Sequence, residues 1–315
     1  MKTMTRAEAA EYFRTYNDYT ILTHRRPDGD TLGSAAALCL GLRKLGKNAW
    51  VLNPTESLDG LGWLLADITK DFADPGDTIV AVDVAAPDML PRDFAELAVK
   101  CRLRIDHHGS ATPFGWAELV DADSASCAEI ISDILELLEV EPDEDMADAL
   151  YVGVATDTGC FRYANTNAHA FTVAARCAAA GADVAGLNLE LFETNSLAKL
   201  RLHAWIAENV KLFGDGQLAI VAIPKAVEER LGVTDAELGN LSSYARSIAG
   251  VCLAATLRQG KYGETKISVR AVPGWDAAAV CERFGGGGHP GAGGATSRLS
   301  LEETAKLLEE YMLDA

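Results

Sequence analysis

Short apolar segments alternate with helical segments through the first half of this 315-residue chain. Four of the apolar segments are rich in β-branched residues and have the length of strands, and they lie near 19–24, 49–53, 78–84 and 101–106. Segments with the apolar spacing of helices separate most of them. This alternation is typical of βαβ units, so the first half of the chain predicts an α/β fold with a mostly parallel sheet flanked by helices.

The pattern changes in the second half. It is helical and alanine-rich from about Asn167 to Leu212, and strand-like segments then appear between further helices. The predicted strands lie near 218–223, 251–257 and 265–271, and the predicted helices near 235–247, 276–283 and 301–312. We therefore predict a first domain over 1–190, a helical linker over 191–213 and a smaller α+β domain over 214–315.

Composition narrows the classes of function. The net charge of −18 argues against a broad duplex-binding surface, because that kind of binding uses many Lys and Arg contacts to phosphates. No apolar run approaches about 20 residues, so we expect a soluble, cytoplasmic protein without membrane contact. The seven cysteines are scattered and form no CxxC pair, so neither a disulfide framework nor a zinc knuckle is predicted.

Acids and histidines follow the apolar segments of the first half at the points where those segments end. An HxxxDxD motif stands between the first strand and the next helix, and a lone aspartate, a DHH triplet and a further aspartate end later apolar segments that we predict as strands. These residues are His24, Asp28 and Asp30, then Asp83, then Asp106, His107 and His108, and last Asp157. Because carboxyl ends of parallel strands meet at one edge of a sheet, we expect the side chains to converge there.

Four of these residues are aspartates, namely Asp28, Asp30, Asp83 and Asp157. Four carboxylates in one place repel one another unless cations neutralise them or some remain protonated, and two divalent cations would balance them. Carboxylate and imidazole ligands without a thiolate suit Mn²⁺, Co²⁺ or Mg²⁺. Asp28 or Asp30 alone could instead cap the following helix, but the joint pattern favours a pair of metal ions that activates water for displacement at phosphorus.

A glycine-rich segment near the end of the chain offers a second kind of chemistry. Gly286, Gly287 and Gly288 precede His289, and Arg270 stands on the predicted strand before them. Glycines let backbone N–H groups approach a phosphate closely, and the two cationic side chains could add charge-assisted hydrogen bonds. The alternative is a flexible linker. We favour a phosphate-binding segment because a His-Pro pair and a strand-like stretch follow the glycines.

The motifs occur in the order of the four motifs of the DHH phosphoesterase superfamily, which is named after its Asp-His-His triplet. The glycine-rich segment with His289, preceded by Ser268-Val269-Arg270, resembles the signature of the associated DHHA1 domain. Together the two resemblances cover nearly the whole chain, which is similar to the compact oligoribonuclease and pAp-phosphatase branch. One departure is the run 291–294, where related proteins more often have alanines, and this departure concerns the shape of the substrate pocket.

The resemblance implies a role for each residue of the motifs. His24, Asp28 and Asp83 would bind one metal ion, and Asp30, Asp83, His107 and Asp157 the other, with Asp83 as the bridge. His108 would face the substrate phosphate, and Asp106 would orient a histidine. Substrate would bind to Arg270, Gly286, Gly287, Gly288 and His289.

The function implied is Mn²⁺-dependent hydrolysis of single-stranded RNA of about two to five nucleotides and of pAp to AMP. Short RNA is expected because the glycine-rich segment and the metal ions would define a short span. Hydrolysis of linear or cyclic dinucleotides such as pApA, pGpG and cyclic di-AMP stays open. Inorganic pyrophosphatase is less favoured, since its second domain lacks a similar glycine segment, and length and acidity disfavour a long-strand exonuclease. A non-catalytic nucleotide-binding module has no physical need for four clustered carboxylates. A homodimer is also open.

Overall fold

The structure is a computed structural model that describes residues 1–54, 58, 60–74, 76–109, 112–234, 236–239, 241–260 and 263–314. The chain divides into two compact units, Met1–Thr194 and Asn195–Ala315. Among the residues described, no helix is both long enough and apolar enough to cross a membrane. Each unit has its own sheet and its own apolar core.

The first unit is built on a seven-stranded sheet in which every paired strand is parallel. Its strands are β1 Lys2–Thr3, β2 Asp18–Leu22, β3 Asn48–Leu52, β4 Thr69–Lys70, β5 Thr78–Val82, β6 Leu103–Asp106 and β7 Ala117–Val120. Its helices are α1 Arg6–Thr15, α2 Gly29–Lys44, α3 Cys127–Leu137, α4 Glu144–Asp157, α5 Ala168–Ala179 and α6 Val184–Asn188. The strand order is β1-β7-β6-β5-β2-β3-β4, which confirms the predicted fold class.

Helices α2 and α4 pack unusually closely because two glycines remove side chains from their contact. A Cβ on Gly33 of α2 would lie 2.2 Å from the carbonyl oxygen of Ala149 on α4, and a Cβ on Gly153 of α4 would lie 3.0 Å from Oδ1 of Asp30 on α2. Any larger residue would force the helices apart. This close approach brings the first turn of α2 beside the last turn of α4.

The prediction that Asp157 ends a strand is wrong, because Asp157 is the last residue of helix α4. The helix begins at the cap Asp143, whose side chain accepts a hydrogen bond from the backbone N–H of Met146. Helix α4 is buried on nearly all sides, so its sequence lacks the polar face that marks a helix. A short apolar run then has the same appearance in a strand and in a buried helix.

The second unit contains a six-stranded mixed sheet in the order β12-β13-β11-β10-β9-β8, in which β9 and β10 are parallel. Its strands are β8 Lys211–Phe213, β9 Leu218–Ile223, β10 Leu253–Gln259, β11 Thr265–Ala271, β12 Gly287–His289 and β13 Ala292–Ser297. Its helices are α7 Leu197–Asn209, α8 Lys225–Leu231, α9 Leu241–Arg246, α10 Ala277–Glu282 and α11 Leu301–Leu313. The three predicted strands are confirmed.

Two predictions for the second half need correction. The helical pattern predicted as far as Leu212 ends at Asn209, because 211–213 pair with β9 as strand β8. Helix α7 packs through Leu202 and Ile206 on apolar residues of the second unit. The helix predicted near 235–247 is a 3-10 turn, Ala236–Leu238, and helix α9, and residues 235 and 240 lie outside the described part of the chain.

Candidate metal centre

The first unit gathers the predicted acids and histidines at one edge of its sheet. They stand at the carboxyl ends of β2, β5 and β6, in the first turn of α2 and at the end of α4. These residues are His24, Asp28, Asp30, Asp83, His107, His108 and Asp157. Four separate chain segments and the close packing of α2 on α4 are therefore needed to assemble one site.

The distances between these side chains suit shared cations better than direct hydrogen bonds. His107 Nε2 lies 3.8 Å from Asp30 Oδ2, 3.6 Å from Asp83 Oδ1 and 3.5 Å from Asp157 Oδ2. His24 Nε2 lies 3.7 Å from Asp83 Oδ2 and 3.9 Å from Asp28 Oδ1. Ligand atoms about 2 Å from one metal ion are separated from each other by about 3–4 Å.

Among the described residues, three groups of side chains have ligand atoms within 4.8 Å of one another. The first group is His24, Asp28 and Asp83, the second is Asp30, His107 and Asp157, and the third is Asp83, His107 and His108. Asp83 belongs to two of the three groups, so its carboxylate is at the centre of the cluster.

Asp83 provides the test of whether a cation fits. Its side chain is buried, and Oδ2 accepts a hydrogen bond from the hydroxyl of Thr31. Within the described residues, Oδ1 has no hydrogen-bond partner. Its backbone φ of 56° lies in the left-handed region, which a residue other than glycine adopts at a cost. A buried carboxylate oxygen without a donor beside imidazole nitrogens fits a metal ion.

The electrostatics of the other carboxylates agree with a site for cations. Burial, and then the charge of Asp83, raise the pKa of Asp30. Burial raises the pKa of Asp83 first, and Asp28 raises it further. Burial raises the pKa of Asp157 to about 6, although His107 opposes the shift. These carboxylates are therefore costly to ionise together unless positive charge enters the site.

Helix α3 orients Asp30. The backbone N–H of Cys127 donates to Asp30 Oδ2 at 2.7 Å, and the backbone N–H of Ala128 donates to Oδ1 at 2.9 Å. The hydroxyl of Ser34 lies 3.3 Å from the same Oδ1. The first N–H groups of a helix have no partner within the helix and carry partial positive charge, so they hold a carboxylate well.

Asp106 holds the ring of His108. The Asp106 side chain is fully buried, and its Oδ1 accepts from the backbone N–H of His107 at 2.9 Å and from that of His108 at 3.2 Å. The Nδ1 of His108 lies 2.8 Å from the same oxygen, and because the carboxylate accepts, Nδ1 donates. The hydrogen bond to Asp106 raises the pKa of His108 to about 9, and burial opposes the shift. Nε2 is then the nitrogen left for another partner.

The predicted substrate residues all lie in the second unit. Arg270 on β11 pairs in backbone register with Ala292 on β13, which pairs with His289 on β12. The glycine-rich segment is part of the hairpin formed by β12 and β13, and a Cβ on Gly288 would lie 2.3 Å from the carbonyl oxygen of Ala292. Close strand contact therefore accounts for part of the glycine content. The side chain of His289 lies outside what the structure describes.

One buried arginine beside the cluster was not predicted from the sequence. Arg104 is a residue of β6, is 1% exposed and contacts Asp106. A charged residue at the centre of an apolar segment, Leu103-Arg104-Ile105, is the signal that could have revealed it. Its partner across the sheet could not be predicted without the register of β6 and β7.

Comparison with known proteins gives two matches to protein families and several relatives. Residues 18–154 match the DHH family, N-terminal domain, and residues 215–314 match the DHHA1 domain. The chain is 32% identical over 291 residues to the bifunctional oligoribonuclease and PAP phosphatase NrnA of Thermus thermophilus, covering 90% of this chain and 85% of that protein. It is 28% identical over 308 residues to the protein of the same name from Bacillus subtilis, covering 95% and 96%.

Solved structures show the same fold. An exopolyphosphatase-related protein from Bacteroides fragilis has a TM-score of 0.89 at 23% identity, over 98% of this chain and 96% of that one. The exonuclease RecJ bound to manganese has a TM-score of 0.55 at 14% identity, over 99% of this chain and 94% of that one.

Proposed function

This chain belongs to the DHH family of phosphoesterases, and we propose that it uses two divalent metal ions to hydrolyse short RNA oligonucleotides to mononucleotides and pAp to AMP. The observation that carries the proposal is the buried Asp83 Oδ1, which has no hydrogen-bond donor among the described residues and lies 3.6 Å from an imidazole nitrogen. The relatives in Thermus thermophilus and Bacillus subtilis, whose names carry both activities, match over most of their length.

We assign the ligands as two sets that share Asp83. His24, Asp28 and Asp83 hold one ion, and Asp30, Asp83, His107 and Asp157 hold the other. The distances and the raised pKa values of the buried aspartates support this assignment. Mn²⁺ is the ion we propose, because carboxylate and imidazole ligands without thiolate suit it. Such a pair of ions supplies Lewis-acid stabilisation of the phosphoryl group and lowers the pKa of water.

The residues of the chain do the remaining work. Asp106 keeps Nδ1 of His108 engaged, so Nε2–H of His108 points away from Asp106 and donates to a non-bridging oxygen of the scissile phosphate. Charge develops on that oxygen in the transition state, and a fixed donor stabilises it there. The backbone N–H groups at the start of α3 hold Asp30 so that its carboxylate does not rotate during turnover.

The second unit binds the part of the substrate that does not react. Arg270 supplies positive charge on β11, and Gly286, Gly287, Gly288 and His289 form or adjoin the hairpin in register with it. Binding energy from a remote part of the substrate can position the scissile phosphate, so these residues act on both KM and kcat. The net charge of −18 disfavours the binding of a long polyanion.

A substrate panel with Mn²⁺ tests this function. We expect turnover of RNA up to about five nucleotides and of pAp, with kcat/KM falling steeply for longer strands, because the relatives named oligoribonuclease and PAP phosphatase match over most of their length and the net charge of −18 disfavours a long polyanion. The panel contains pyrophosphate, pAp, linear and cyclic dinucleotides, and RNA from a dimer to a long single strand. Equal kcat/KM for the long strand and the trimer would contradict the proposal. Preference for a dinucleotide or for pyrophosphate would change the proposed substrate and leave the proposed metal chemistry in place.

Arg270→Ala serves as the variant for the second unit within the same panel. It should raise KM for the trinucleotide and leave the metal content of the protein unchanged. Lys266→Ala is the matched control, because Lys266 is an exposed cation on the same face of the same strand. Identical behaviour of the two variants would show that Arg270 has no specific role.

A further inference from the structure

A buried arginine lies directly behind the Asp-His-His triplet. Arg104 on β6 is 1% exposed, and its Nη1 donates to Asp106 Oδ2 at 2.9 Å. Its Nη2 donates to Glu118 on β7, and the guanidinium lies 5.5 Å from the centre of the Phe114 ring. The carbonyl oxygen of Val84, the residue after Asp83, is 3.4 Å from Nη1. One guanidinium therefore contacts the ends of two strands that carry site residues.

Strand geometry explains why these groups meet. Residues 104 and 106 are two apart on β6, so their side chains point to the same face of the sheet. Glu118 is the residue directly opposite Arg104 in the register of β6 with β7. The three charged groups thus form a row, Glu118–Arg104–Asp106, which ends at His108.

The row is costly for stability, which suggests that it has another role. Burying a guanidinium and a carboxylate removes both from water, and well-packed apolar residues of similar volume are often as stable or more stable. On the face of the sheet that Arg104 shares, the neighbouring core positions Leu22, Ile79 and Ala81 are apolar, and Ala81 is paired with Arg104 in the register of β5 with β6. Packing alone therefore gives no reason for a charge at residue 104.

The contacts of Asp106 indicate what the arginine does. Oδ1 receives the ring and backbone N–H groups of the triplet, and Oδ2 receives Arg104. With both oxygens engaged, the plane of the carboxylate is fixed and the ring of His108 is fixed with it.

We propose that Arg104, itself held by Glu118, is a positioning residue that fixes the Asp106 carboxylate and, through it, the ring of His108. It touches neither substrate nor metal in this arrangement. The consequence for catalysis rests on the proposed function, in which His108 donates to the scissile phosphate. The consequence for the His108 ring does not depend on it.

Kinetics of the full-length enzyme test the catalytic consequence. Arg104→Met leaves the partly buried Glu118 without its cation, so the variant to use is Arg104→Met combined with Glu118→Leu, which replaces the Glu118–Arg104 pair by apolar groups and leaves Asp106 in place. We expect kcat for the trinucleotide to fall by roughly 10–100-fold, with KM changed less than about twofold and metal content unchanged, because a misplacement of about 1 Å can cost that much. Arg102→Met, at a solvent-accessible arginine stacked on Trp116, is the matched control and should retain the wild-type rate.

Nuclear magnetic resonance of the histidine rings tests the positioning without any turnover. In protein labelled with ¹⁵N-histidine and bound to Mg²⁺, the Nδ1–H of His108, assigned with His108→Gln, should be a slowly exchanging, strongly hydrogen-bonded resonance. The double variant should lose it, and Arg102→Met should keep it. Retention of either the resonance or the wild-type kcat in the double variant overturns the proposal. If the wild-type protein hydrolyses no phosphoester, the proposed function has failed, and the resonance alone decides the role of Arg104.

Discussion

Asp83→Asn should lower kcat for the trinucleotide by several orders of magnitude and should also make the metal-free protein more stable. The loss of rate follows because Asp83 belongs to both proposed ligand sets, so one substitution weakens the binding of both metal ions. The gain in stability follows because the substitution removes a buried charge whose Oδ1 has no donor among the described residues. Asparagine also tolerates the left-handed φ of 56°.

The sign of the stability effect follows from the pKa of Asp83, which burial first, and then Asp28, raise. A carboxyl group whose pKa is raised in the folded state does not destabilise the protein at a pH below its unfolded-state pKa. Stability is lost as the pH rises from the unfolded-state pKa to the folded-state pKa. At neutral pH without cations, the wild-type protein bears this cost and the variant does not. We expect a melting temperature about 2–4 °C higher for the metal-free variant.

Thermal unfolding with chelator and with Mn²⁺ measures both parts of this expectation. Added Mn²⁺ should raise the melting temperature of the wild-type protein, since a ligand that binds only the folded state stabilises it. It should raise that of Asp83→Asn much less. Asp88→Asn, at an exposed aspartate five residues away, is the control and should change neither rate nor metal response. An Asp83→Asn variant with wild-type kcat would show that Asp83 is not a ligand shared by both metal ions.

His108→Ala should retain the metal ions and lose roughly 10²–10³-fold in kcat, the loss typical of one removed donor to a developing oxyanion. The reason is that Nδ1 of His108 is occupied by Asp106 at 2.8 Å, which leaves Nε2 for the phosphate. Metal content by elemental analysis and kcat by mononucleotide release are the two readouts.

The same variant distinguishes His108 as a donor from His108 as a ligand. Nδ1 of His108 lies 3.6 Å from Asp83 Oδ1, and one of the three possible ligand groups includes His108. Loss of bound metal in His108→Ala would assign it as a ligand. His169→Ala is the control, because His169 is a half-exposed histidine of the same unit that pairs with Asp133, and its removal should leave both readouts unchanged.

Local patterns were enough to predict most of the first sheet. Its four main strands are short β-branched runs bounded by turn residues, and the helix starts at Thr5 and Ser126 have a cap followed by glutamate three residues later. The short strand β7 was missed, because four residues without strong alternation carry little signal. Strand β12 was missed, and only the end of β13 near 295–297 was recognised as strand-like, because glycines are typical of loops. The packed hairpin shows why glycine is needed there.

The site was predictable where its residues are close in sequence. The HxxxDxD motif and the Asp-His-His triplet each place several groups at one strand end, whatever the rest of the chain does. Asp157 was found by its motif but assigned to a strand instead of helix α4. Its side chain reaches the other ligands through the contact of α2 with α4, which Gly33 and Gly153 permit. Arg104 was missed because its meaning depends on Glu118, which is 14 residues away and is brought opposite by strand register.

A titration of chelator-stripped protein with Mn²⁺, followed by the release of mononucleotides from a trinucleotide, tests the two-metal assignment most directly. We expect no hydrolysis without metal and full hydrolysis only when two Mn²⁺ ions per chain are bound, since Asp83 lies in two ligand groups. Asp83→Asn should bind fewer ions and stay inactive throughout the titration. Full hydrolysis by the metal-free wild-type protein would contradict the assignment.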